Sequence, residues 1–137
     1  VYFYNVYGPG QITTGPMSTV IGIFEDQFKK KIPLTVVRPG SQSRRFTHIK
    51  DTIEACYHAW KKNECKHYSI SSRKSYTIIN VAKLFGTKIK LLPPRKGERY
   101  ASALTNLNLS NKVNKMFGKI DLKDYIVNIV KNSQKKL

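Results

Sequence analysis

The chain is short of acid, of cysteine and of long apolar runs. Asp and Glu number 8 against 25 Lys and Arg, in 137 residues. No apolar run approaches the ~20 residues of a membrane-crossing helix, so no helical span is expected. Two cysteines cannot build a disulfide scaffold and suit a reducing compartment, so the expected setting is cytoplasmic. The opening Val1–Val6 has neither the basic stretch nor the small-residue cleavage site of a secretory leader. There is no internal repeat, low-complexity tract or interdomain linker, so residues 1–137 read as a single domain. The chain opens inside an expected strand and lacks an initiator Met. The expectation is a segment of a longer protein.

What is abundant is positive charge, +17 in all. The apolar share is 40% and the aromatic share 11%, too much for a disordered basic tail. Such a balance points to an anionic partner: nucleic acid, an acidic membrane surface or a phosphorylated small molecule. The lysines, clustered at Lys29–Lys31, Lys61–Lys62 and Lys135–Lys136, read as solvated surface. Arginine is more selective, because its planar fork grips phosphate with two parallel bonds. Of the six arginines, Arg38, Arg44, Arg45, Arg73, Arg95 and Arg99, all but Arg73 fall in two short glycine-containing turns.

Periodicity gives alternating strands and helices, an α/β chain. Val1–Val6 reads as one strand, and the Gly- and Pro-rich stretch to Pro16 as a loop. Met17–Lys30 carries apolar residues at helical spacing, with Gln27 the exception, and Pro33 ends it. Leu34–Val37 reads as a strand and Phe46–Ile49 as extended. Asp51 is expected to cap a helix to Lys62 with Ile53, Cys56, Tyr57 and Trp60 on one side. His67–Ile70 is a strand, and Ser75 or Thr77 starts a helix stopped at Gly86. Lys88–Leu92 is a strand, Ser110–Phe117 a short helix, and Asp121 caps a last helix, Leu122–Lys131.

Two patterns lead nowhere. Cys56-x-His58 and Cys65-x-His67 have metal-like spacing, but Cys56 and His58 fall in the expected helix, where residues two apart diverge by about 200°; buried thiols and surface histidines are expected instead, and no metal. Tyr57-His-Ala-Trp-Lys61 places a Tyr and a Lys on one helix face, as in short-chain dehydrogenases. A catalytic pair needs a nicotinamide site beside it, and Gly8-Pro-Gly10 lacks the third glycine of such a loop. Ser69–Ser72 offers hydroxyls without a His–Asp partner.

Three segments resemble the C-terminal half of the NAD-dependent epimerase/dehydratase family, the extended short-chain dehydrogenases of nucleotide sugars. Tyr2-Phe-Tyr-Asn-Val-Tyr-Gly-Pro-Gly-Gln11 is similar to that family's Arg-Tyr-Phe-Asn-Val-Tyr-Gly-Pro block. Pro33 to Asp51 resembles its Pro-Leu-x-Ile-x-Gly-x-Gly-x-Gln-x-Arg-Asp-Phe-x-x-Val-x-Asp block. Pro94-Arg-Lys-Gly-Glu98 resembles its Arg-Pro-Gly-Asp turn, and Met116-Phe-Gly118 its Leu-Gly ending.

The resemblance implies the C-terminal part of a Rossmann-type fold, including the small substrate-binding region. It implies that Asn5 reaches the phosphates of a sugar nucleotide, that Arg44 pairs with the diphosphate and that Arg95 is a second phosphate contact. Glu98 takes the place of an acid that bonds the ribose. Thr35 to Val37 match the strand whose backbone borders uracil. Ser18 and Thr19 fall where main-chain amides of a helix start face the diphosphate, and Tyr4 adjoins the cofactor. Arg45 stands where the family has Asp, and is expected to be exposed; Arg38 stands for a Gly and Ser18 for an asparagine.

The family's glycine-rich NAD loop and catalytic Tyr-x-x-x-Lys precede the first block, so no catalytic residue is expected in this chain. NAD, which takes a hydride from the sugar and returns it, would be bound mainly outside it. The implied partner is a UDP-hexose, with a homodimer possible for the whole enzyme. Dehydration or reduction by the same family is an alternative. A nucleic-acid module stacking bases on Phe46 or Tyr100 is another.

Overall fold

The computed structural model describes residues 1–64, 67–97 and 113–135. The expected first strand is two: β1 (Tyr2–Phe3) and β2 (Val6–Tyr7), broken where Asn5 adopts a left-handed φ of 43°. That kink moves the chain from one sheet to another. β1 pairs in parallel with β6 (His67–Ser71), whereas β2 pairs in parallel with β5 (Thr47–His48).

Between β2 and β5 lie α1 (Val20–Lys29), β3 (Leu34–Val37) and β4 (Ser43–Arg44). Helix α1 starts three residues later than its apolar spacing suggests, because the Thr19 hydroxyl caps it by accepting from Gly22 N at 3.0 Å. Ile21 and Phe24 bury its inner face. α2 (Ile49–Lys62) follows β5 directly. Its cap is His48, whose Nδ1 accepts from Lys50 N at 3.2 Å, and not the expected Asp51. Asp51 sits buried in the first turn, where Oδ2 accepts from Ile120 N at 3.0 Å and ties the helix to a distant turn. Ile53, Tyr57 and Trp60 do share a side, but it is an exposed one, and Cys56 is exposed with them instead of buried.

β7 (Tyr76–Thr77) is antiparallel to β4, with Arg44 opposite Tyr76. Thr77 caps α3 (Ile78–Leu84), and β8 (Ile89–Leu92) runs parallel to β3, from Leu34 opposite Ile89 to Val37 opposite Leu92. β9 (Val113–Phe117) is a parallel strand beside β6, where the sequence predicts a short helix over 110–117. The open edge of β6 supplies backbone partners that a lone apolar spacing cannot reveal, and half-buried Asn114 and Met116 alternate with exposed Lys115 and Phe117 as a strand requires. Asp121 caps α4 (Leu122–Gln134) as expected. The core gathers Phe24, Leu34, Val36, Val81, Phe85 and Ile126 between α1, α3, α4 and β3.

Candidate functional site

One cavity of about 390 Å³ opens where β3 and β8 end. Its wall includes Asn5, Ser18, Thr19, Thr35, Val37, Arg44 and Arg95, seven positions singled out in the sequence and contributed by five separate stretches of chain. Glu98 lies outside the described residues, and half-buried Tyr4 is not on the wall. The wall also holds Gln42, Phe24, Phe46, Ile78 and Leu92, and no acid among the described residues. The space has the size, the apolar body and the few polar groups of a small-molecule site.

β3 sets one side. Leu34 N donates to Lys88 O and Arg38 N to Leu92 O, so the even-numbered residues bond β8. Thr35 and Val37 therefore turn their peptide groups to the other edge, and both line the cavity. Two glutamines trim that edge. Gln27 accepts from Thr35 N at 3.0 Å and donates to Thr35 Oγ1 at 2.8 Å, which explains a polar residue in the apolar stripe of α1. Gln42, 2% exposed, donates from Nε2 to Val37 O at 3.1 Å, while its Oε1 has no protein partner.

The two adjacent arginines part company. Arg44 lines the cavity, half-buried, with its guanidinium steadied by Ser43 O at 2.8 Å. Arg45 does not line it and is not exposed either. Its guanidinium donates to the carbonyls of Ser72 and Arg73, holding the β6–β7 connection. Alternation along an extended segment sends the neighbours to opposite sides. Asn5 donates from Nδ2 to Arg45 O at 3.0 Å and keeps a second N–H hydrogen.

At the start of α1 the amides differ from the expectation. Ser18 N donates to Gly15 O and Thr19 N to Ile12 O. The Ser18 hydroxyl donates to Gly15 O at 2.7 Å and the Thr19 hydroxyl to Gln11 Oε1 at 2.8 Å. Neither residue has a hydrogen left for an anion. With Gly22 N capped by Thr19, the first-turn donors that remain are Val20 N and Ile21 N, and both residues line the cavity. A Thr cap followed by Gly at its third position was the signal for them; for Gln42 it was a lone amide between Gly40 and Arg44.

The pair Tyr57 and Lys61 lies on α2, away from this cavity, with Lys61 Nζ 5.7 Å from the Tyr57 ring centre. Behind the site, His48 packs edge-on against Tyr7 and Tyr125. Burial lowers its pKa below 6.5, the Asp51 charge opposing and Lys50 adding to that effect.

Strands ending together at a pocket, with a helix start and two arginines on its wall, mark a Rossmann-type α/β protein. The chain belongs to the NAD dependent epimerase/dehydratase family, whose family model matches residues 1–82. That family is one of enzymes. The UDP-glucose 4-epimerase of Thermotoga maritima, solved with UDP-glucose, has the same fold at TM-score 0.75 and 22% identity, over 98% of this chain and 45% of that one. A UDP-N-acetylglucosamine 4-epimerase from Methanobrevibacter ruminantium, solved with UDP-N-acetylmuramic acid, gives 0.71 and 22% over 98% and 45%. The dTDP-glucose 4,6-dehydratase of Bacillus anthracis, solved with NAD, gives 0.73 and 18% over 97% and 43%. No curated protein matches. The chain thus spans less than half the length of these structures.

A Cβ at Gly8 would lie 2.7 Å from Ile49 Cγ2, so Gly8 is packed against the start of α2 and offers no cradle for a dinucleotide pyrophosphate, whereas a Cβ at Gly10 would meet nothing within 4 Å. No helix of the described residues is long and apolar enough to cross a membrane.

Proposed function

We infer that residues 1–137 are the substrate-binding C-terminal portion of an NAD-dependent sugar-nucleotide epimerase of the UDP-hexose 4-epimerase type, with the NAD-binding and catalytic portion outside this chain. The observation that carries the reading is the meeting of Asn5, Arg44, Arg95 and the α1 N-terminus around one cavity without an acid among its described residues. A diphosphate needs hydrogen-bond donors and positive charge together. Arg44 supplies a planar fork, Val20 N and Ile21 N supply dipole-backed donors, and Arg95, exposed at the mouth, supplies the second charge. The odd-numbered edge of β3 and the apolar wall of Phe24, Phe46 and Ile78 suit a flat pyrimidine. Glu98 is assigned to the ribose and Tyr4 to the cofactor side. These contacts hold the nucleotide while the sugar reacts elsewhere, so their energy serves orientation and not bond-making.

A dehydratase would use the same portion in the same way, with the residues that divide the two chemistries mostly outside this chain. The nucleic-acid reading loses one of its stacking platforms, because Phe46 is 2% exposed and faces inward. Titration of the full-length protein decides. UDP should displace a bound UDP-hexose, with a shallow salt response. Binding of a polynucleotide with steep loss of affinity in salt, and none of UDP, would overturn the reading.

A further inference from the structure

A hydrogen-bonded chain runs from the rim of the cavity to a buried carboxylate. Glu25, 7% exposed, accepts at Oε1 from Gln11 Nε2 and from the Tyr125 hydroxyl, each at 2.7 Å. Its Oε2 faces Lys29 Nζ at 3.9 Å. Burial, and then the bond to Glu25, keep the Tyr125 phenol well above its ordinary pKa, so it remains a donor. Gln11 Oε1 in turn accepts from the Thr19 hydroxyl, and Thr19 Oγ1 accepts from Gly22 N.

The direction of every bond is dictated from the buried end. A carboxylate only accepts, so the Gln11 amide must present its NH₂ to Glu25 and its oxygen to Thr19. Thr19 must then give its one hydrogen to Gln11 and turn a lone pair to Gly22. A reversed Gln11 would set its amide oxygen against the Glu25 carboxylate and leave the Thr19 hydrogen without its acceptor, so the bond that holds Thr19 in its capping rotamer would be lost. The loop also presses on the helix start, since a Cβ at Gly22 would lie 2.5 Å from Ile12 O.

We propose that Gln11 and Glu25 are positioning residues for the anion-binding end of the cavity, fixing Thr19 as the cap of α1 so that Val20 N and Ile21 N are the donors offered to a diphosphate. The ligand half of this inference rests on the nucleotide reading above; the capping half does not.

The test uses Gln11→Met, which keeps length and removes the amide, Glu25→Gln, and the double variant, in the full-length protein. UDP and inorganic pyrophosphate should each bind Gln11→Met roughly five- to tenfold more weakly, the effect of a lost cap, while uridine binds as before. The double variant should be no worse than Gln11→Met alone, because both act through one chain. Amide exchange at Gly22 should accelerate in Gln11→Met by a similar factor. Equal weakening of uridine and UDP, or additive losses, would overturn the proposal, and so would unchanged Gly22 exchange. A wild-type protein that binds neither UDP nor pyrophosphate would sink the nucleotide reading, and Gly22 exchange would still decide the capping.

Discussion

Arg44 lines the cavity while its neighbour Arg45 turns away to hold the main-chain carbonyls of Ser72 and Arg73. The two charges therefore do different work, and their removal should separate cleanly. In the full-length protein Arg44→Ala should weaken UDP binding by about 2–4 kcal/mol, the cost of deleting one partner of a desolvated charge pair. Arg45→Ala should leave UDP affinity within about 1 kcal/mol but lower the unfolding free energy by roughly 1–3 kcal/mol, because charge-assisted bonds to two carbonyls disappear. Calorimetric titration with UDP beside urea unfolding reads both. Equal losses of affinity would place both guanidiniums on the ligand.

Gly22 occupies the third position of α1, where alanine ordinarily gains about 1 kcal/mol over glycine. Here a Cβ would meet Ile12 O at 2.5 Å and Thr19 Oγ1 at 2.9 Å. The first of these is backbone held by Thr19 N, so it cannot swing aside. Gly22→Ala should therefore destabilise, by about 1–3 kcal/mol as overpacking does. Chemical denaturation checks the sign; a stabilised variant would show that the 11–19 loop moves freely off the helix.

Much of the candidate site's lining was legible because its residues fall in compact blocks: Asn5, Thr35, Val37, Arg44 and Arg95 line one cavity. What escaped depended on partners remote in sequence. Val113 to Phe117 carries a spacing that suits a helix, and only the waiting edge of β6 makes it a strand. Asp51 has the chemistry of a cap, but Ile120 N claims its carboxylate from 69 residues away and His48 takes the cap. Ser18 and Thr19 line the same cavity but have no free hydrogen, because Gly15, Ile12 and Gln11 engage them first. The apolar side of α2 was visible as a pattern; that Ile53, Tyr57 and Trp60 remain exposed was not.

His48 gives stability a pH dependence near neutrality. Its folded pKa lies below 6.5, so as pH falls through 6.5 the unfolded chain takes up the proton first. Its contribution is full above 6.5 and declines from there down to the folded pKa, at no more than about 1.4 kcal/mol per pH unit. Asp121 acts lower. Burial pushes its carboxyl up, but bonds from Lys74, Tyr76 and Lys123 N together hold it below 3.8, so its contribution is lost only under that pH. His48→Asn keeps a capping side chain. It should be less stable at every pH, since the contacts with Tyr7 and Tyr125 go, but should lose most of the slope between pH 7 and 5. Urea midpoints across that range measure it, and an unchanged slope would assign the titration to another group.

Gln42 stands on the cavity wall with Val37 and Arg44. Its main-chain oxygen accepts from Ile78 N at 3.0 Å and its Nε2 from the side chain reaches Val37 O, so the residue joins β3 to the start of α3. Its Oε1, buried without a protein partner, already carries a desolvation cost that methionine would not. Gln42→Met therefore loses one neutral hydrogen bond and relieves one unsatisfied acceptor, and the unfolding free energy should change by less than about 1 kcal/mol. Gln42→Glu keeps the shape but sets a carboxyl beside the Val37 carbonyl, and should cost several kcal/mol at neutral pH unless it protonates. Ligand affinity gives the second reading. If a donor of the nucleobase satisfies Oε1, Gln42→Met should weaken uridine and UDP by the same factor, about fivefold for a neutral bond of roughly 1 kcal/mol. Gln11→Met should weaken only the phosphate-bearing ligands. Uridine binding that is indifferent to Gln42→Met, in a protein that remains folded, would show that no ligand donor reaches this amide.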